Sequence, residues 1–137
     1  MVELYPRAGV PWGDDEVDGL LRGIQDGTST YEIALQHERS HSAVVSRPAL
    51  CYDEGRIEVT CHRELHPNRF LYDRDDNKWS ETEWDALIDE LTKHLPINVI
   101  ADNHQRSSNA IKWALSMIID RRQTFMIEVQ IRNGGDE

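Results

Sequence analysis

The chain has 137 residues, 39% hydrophobic and 29% charged, which excludes an intrinsically disordered protein and allows one compact domain or two very small ones. No run of about 18 apolar residues occurs, and Met1-Val2-Glu3-Leu4 lacks the basic-then-apolar order of a signal peptide, so a cytoplasmic protein without a membrane span is expected. Fifteen Lys and Arg against twenty-five Asp and Glu give a net charge of −10, which opposes a broadly basic nucleic-acid footprint but leaves room for a local basic face.

In chain order, Val17, Leu20, Leu21 and Ile24 recur at helical spacing, with Gly13 before Glu16 as a weak cap and Gly27 placed to end the helix in a left-handed conformation. Ser29 with Glu32 forms a capping box and starts a short second helix through Tyr31, Ile33, Ala34 and His37. After the turn at Glu38-Arg39, Ser40 caps a third helix carrying Ala43-Val44. Pro48 predicts that this third helix ends early.

The pattern then repeats. Trp12 aligns with Trp79 at an offset of 67, and Glu16/Glu83, Asp18/Asp85, Leu20/Leu87, Ile33/Ile100, Ala34/Ala101, His37/His104, Arg39/Arg106, Ser40/Ser107 and Ala43/Ala110 are identical without a gap. Trp84, Leu87, Ile88 and Leu91 repeat the first amphipathic stripe, Ser80 with Glu83 gives it a capping box, and Pro96 suits the first turn of the next helix. Three short helices per copy are expected, with the tryptophans, leucines and isoleucines as core.

The order W-x-x-x-E-x-x-x-L, then I-A, then R-S-x-x-A-[VI] resembles a Myb/SANT-like helix-turn-helix, and Pro6-Arg7-Ala8-Gly9 with Pro11-Trp12 is similar to modules in small bacterial or phage regulators and those appended to some bacterial helicases. The resemblance implies that the third helix enters the major groove of double-stranded DNA. It points to Arg39, His41, Ser42, Val45, Ser46 and Arg47 in the first copy and to Arg106, Ser108, Asn109 and Lys112 in the second. Arginine and asparagine can read guanine and adenine, and lysine can neutralise phosphate. Trp113 falls on the same face, where a bulky indole signals packing against a protein partner.

Between the copies, Arg56-Ile57-Glu58-Val59-Thr60-Cys61 alternates as a strand does, and Phe125, Ile127, Val129 and Ile131 do the same near the C-terminus. The two strands either pair with each other, which is the expectation, or each pairs with its mate in a homodimer. Cys51, Cys61, His62 and His66 lack the short Cys-x-x-Cys spacing of zinc sites, so reduced thiols and no metal or other cofactor are expected. No nucleophile elbow or phosphate-cradling glycine loop argues for an enzyme.

The sequence therefore predicts a mainly α fold with a small two-stranded β element. Its parts are a first helix-turn-helix module over 1–48, a linker with a short strand over 49–78, a second module over 79–122, a C-terminal strand over 123–132 and a disordered tail over 133–137. The leading expectation is a DNA-binding transcriptional regulator. The alternative is an acidic protein-interaction module, or a DNA-mimicking inhibitor, acting on the transcription or replication machinery.

Overall fold

The computed structural model describes residues 9–67 and 78–132; the Pro6-Arg7-Ala8 stretch, part of the linker and the expected disordered tail lie outside them. The first unit contains α1 (Asp14–Gln25), α2 (Thr30–Gln36), α3 (His41–Asp53) and β1 (Ile57–Cys61). The second contains α4 (Glu81–Thr92), α5 (Ile97–His104), α6 (Ser108–Asp120), the short α7 (Arg122–Phe125) and β2 (Ile127–Ile131). The fold is mainly α with one small two-stranded antiparallel sheet.

Local chemistry sets the helix starts. Ser29, Ser40, Ser80 and Ser107 each accept a hydrogen bond from the backbone N–H three residues on, while Gly13 and Pro96 cap without a side-chain bond. α1 stops where Gly27 adopts φ +86° and the Thr28 N–H reaches back to the Gly23 carbonyl at 2.9 Å. His94 takes the same place after α4 with φ 59°, although it carries a side chain. The turns into the third helices put Glu38 and Gln105 in the left-handed region as well, at φ 57° and 52°.

Pro48 does not end α3 early. The helix runs on to Asp53 with the proline inside it. A mid-helix proline forfeits one backbone hydrogen bond and costs about 3 kcal/mol. What offsets this is packing of the turn beyond: Ala49, Cys51 and Tyr52 are buried, and the Tyr52 hydroxyl donates to the Leu95 carbonyl at 2.6 Å.

The strands pair with each other, as expected, with Val59 opposite Val129, Ile57 opposite Ile131 and Cys61 opposite Ile127. Ile57-Glu58-Val59 recurs as Ile127-Glu128-Val129, shifted relative to the helical offset because α7 intervenes. The pairing is symmetric about the two valines, so the chain behaves as a two-fold pair of similar units fused head to tail. β1 packs on α4 of the other unit and β2 on α1, and α3 lies against α6. A single hydrophobic core draws on both units, including Leu20, Ile33, Tyr52, Leu87, Ile100, Leu115 and Ile118.

That packing covers one side of each third helix with the other unit and leaves the opposite side to solvent. Their apolar sides seal the join between the units: Val44, Val45, Ala49 and Tyr52 from α3, and Ile111, Ala114, Leu115 and Ile118 from α6, are buried. Sequence periodicity marks an apolar face without saying whether its cover comes from the same unit or the other. Among the described residues no helix is long and apolar enough to cross a membrane.

Candidate functional site

The identical residues of the repeat converge on one constellation in each unit. In the first, the Arg39 guanidinium donates to both carboxylate oxygens of Glu16 at 2.7 and 2.8 Å and lies 4.4 Å over the Trp12 ring. The His37 Nδ1 contacts Glu16 at 3.2 Å, and its ring stacks on Trp12. In the second, Arg106 grips both oxygens of Glu83 at 2.8 Å, lies 4.3 Å over Trp79 and donates to the Lys78 carbonyl at 2.9 Å. His104 contacts Glu83 at 2.9 Å. Each arginine thus ties the turn before the third helix to the start of the first helix.

The second clamp is more deeply buried and larger. Glu83, Glu90 and His104 are wholly inaccessible, and the two ring nitrogens of His104 face Glu83 and Glu90. The first unit has Gly23 where the second has Glu90. Burial resists the Glu83 charge, but hydrogen bonds from Arg106 and His104 outweigh it and hold the carboxyl below its usual range.

This geometry corrects the reading of Arg39 and Arg106 as base-reading side chains. Both guanidinium groups are held inside the protein by a carboxylate and an indole face, so neither projects toward a groove. Val45 is buried as well. Arg47 is half-buried, with its guanidinium 5.2 Å from the Trp12 ring, and Lys112 is half-buried on α6. The solvent-facing stripe of α6 is Asn109, Trp113 and Met117, and its counterpart on α3 is Ser42, Ser46 and Leu50. Neither stripe contains a cation. Ser108 is exposed at the start of α6, and Ser46 turns its hydroxyl to the Ala43 carbonyl.

The remaining residue of the expected set, His41, sits in a cavity that sequence reasoning did not foresee. Asp120, at the end of α6, accepts the Thr30 N–H at 3.0 Å and the Thr30 hydroxyl at 2.6 Å, so a residue of the second unit caps α2 of the first. Asp53 reciprocates by accepting the Ile97 N–H at the start of α5, at 3.0 Å. Thr30, wholly buried, also meets His41 Nε2 at 2.8 Å. The His41 ring is stacked on Tyr31 at 3.6 Å and stands edge-on to Trp113 at 5.4 Å. Tyr31, His41, Trp113, Met117, Asp120 and Arg121 line a cavity of about 260 Å³ where the units meet. The one available signal was the identity of Asp53 and Asp120 at the repeat offset.

Cys51 is buried on α3, whereas Cys61 lies on β1, His62 pairs with Glu128 across the sheet, and the His66 N–H donates to Asp85. Among the described residues no cluster of three His, Cys, Asp or Glu side chains is placed to hold a metal ion. Comparisons with protein-family models, curated proteins and solved structures return no match.

Proposed function

We propose that this chain is a cytoplasmic protein-interaction module on a duplicated helix-turn-helix frame, acting on a component of the transcription or replication machinery through the face that carries Trp113. The observation that carries this reading is the chemistry of the outward stripes. Trp113 is 45% and Met117 38% exposed, Tyr31 lies beside them at 64%, and the arginines that would read bases are tied to Glu16 and Glu83. Exposed aromatic residues beside a cavity mark protein interfaces, where Trp and Tyr anchor binding. A groove-reading face needs cations free to neutralise phosphate.

Two measurements on the full chain test the reading. Affinity capture with the parent protein, followed by mass spectrometry, is expected to recover a specific partner that Trp113→Ala loses while folding normally; an unchanged partner list would count against it. Fluorescence anisotropy on mixed duplex DNA across a salt series is expected to show no saturable binding. Tight binding with a steep salt slope would overturn this reading in favour of a DNA-binding regulator.

A further inference from the structure

The following inference rests on the interaction reading and names the chemical group that the Trp113 face receives. We propose that the cavity bounded by Tyr31, His41 and Trp113 takes the guanidinium of an arginine side chain on a partner protein.

The hydrogen bonding around Thr30 fixes what the cavity offers. Because the Thr30 hydroxyl donates to Asp120, its 2.8 Å contact with His41 requires the proton to be on His41 Nε2. That leaves Nδ1 as an acceptor with no hydrogen-bond partner among the described residues. Burial lowers the His41 pKa despite the opposing charge of Asp120, which keeps the ring neutral at neutral pH and its lone pair available. Each Asp120 oxygen accepts one hydrogen bond from Thr30 and has further acceptor capacity. The Trp113 ring stands at 68° to the stacked Tyr31 and His41 pair, so the walls meet nearly at right angles. Aromatic faces and acceptors together suit a flat cation that donates several hydrogen bonds.

The chain already solves this recognition problem twice. Trp12 and Glu16 hold Arg39, and Trp79 and Glu83 hold Arg106, with His37 and His104 each set against the glutamate. Trp113, Asp120 and His41 bring an indole, a carboxylate and an imidazole together a third time, with Thr30 between the carboxylate and the imidazole, and among the described residues no cation lies over the Trp113 ring. Arg121 lines the cavity without lying over that ring.

The repeat also supplies an internal control. The positions equivalent to Tyr31, His41 and Trp113 are Asn98, Ser108 and Ser46, yet Asp53 caps α5 as Asp120 caps α2. The frame therefore folds without the three rings, and their presence on one side only points to a ligand. At about 260 Å³ the space is below the roughly 300–1,000 Å³ of sites for drug-sized ligands, so it fits one side chain. A chain of net charge −10 favours a basic partner.

The test is a nuclear magnetic resonance titration of the intact chain, following the Trp113 indole N–H and the His41 ring protons. The probes are N-acetyl-arginine methylamide, the uncharged citrulline analogue and N-acetyl-tryptophan amide. The arginine probe is expected to give saturable shifts with a dissociation constant on the order of millimolar. The citrulline probe should bind at least about tenfold more weakly, since it keeps the shape and loses the charge. Trp113→Ala and Tyr31→Ala, both at exposed positions, should abolish the shifts at unchanged melting temperature. Equal binding of citrulline, saturation by the tryptophan probe alone, or no saturable shift would overturn the arginine assignment and leave the interaction reading to stand on the capture experiment. Free arginine binding far more tightly than the blocked probe would also overturn it, by marking a free amino-acid site. Loss of the captured partner's dependence on Trp113, with arginine shifts intact, would overturn the interaction reading and with it the assignment of the arginine to a partner protein.

Discussion

Replacing Arg106 by leucine separates the structural role of the repeated arginine from a nucleic-acid role. The substitution removes two guanidinium bonds of 2.8 Å from Glu83 and the cation over Trp79, and leaves a wholly inaccessible carboxylate beside His104. Removing one partner of such a buried pair costs about 3–5 kcal/mol, a large share of the 5–15 kcal/mol that holds an ordinary domain together. Arg39→Leu should cost less, about 1–3 kcal/mol, because the Glu16 side chain retains 9% of its exposure and can recover water. The double variant Glu83→Leu/Arg106→Leu should regain part of the loss, since no unpaired charge remains. Urea denaturation followed by circular dichroism reads these differences as shifts in midpoint at constant slope. Parent-like midpoints for both arginine variants would mean that neither clamp contributes to stability.

Thr30→Val keeps the shape and removes the hydroxyl that joins Asp120 to His41; a loss of about 1 kcal/mol in urea is expected, because two part-buried partners each lose a hydrogen bond. Gly27→Ala meets no atom within 4 Å but must hold φ +86°, so a loss of about 1 kcal/mol should come from the backbone alone and appear as a lower melting temperature. For Glu83 and Asp85, arginine and other hydrogen bonds outweigh burial and lower both pKa values, so their contribution is complete above the unfolded value near 4 and lost as pH falls through the folded values. Melting temperature should therefore be flat above about pH 5 and drop below about pH 4, with a shallower drop in Arg106→Leu. Deleting the chain from Ile127 onward removes the strand that pairs with β1 and packs on α1, and should replace one cooperative transition by a broad one; a sharp, parent-like melt would show that the units are independent.

Much of the local structure was legible along the chain. Apolar spacing, the serine caps at Ser29, Ser40, Ser80 and Ser107, and the left-handed Gly27 are short-range effects that need no tertiary partner. Alternation in 56–61 and 125–131 likewise announced two strands. The repeat showed that Trp12, Glu16, His37 and Arg39 matter together with Trp79, Glu83, His104 and Arg106, but not why. An arginine at that turn suits an external phosphate as well as an internal carboxylate, and only folding brings Arg39 onto a glutamate 23 positions earlier.

The helices and their caps follow from short-range chemistry, because hydrogen bonding and side-chain spacing act within a few residues. Long-range packing is what sets α3 against α6, keeps a proline inside a continuing helix, lets each unit cap the other through Asp53 and Asp120, and frames a cavity with three rings on one side. These features depend on surfaces meeting across the two halves of the chain, and an apolar stripe specifies that it must be covered without specifying by what.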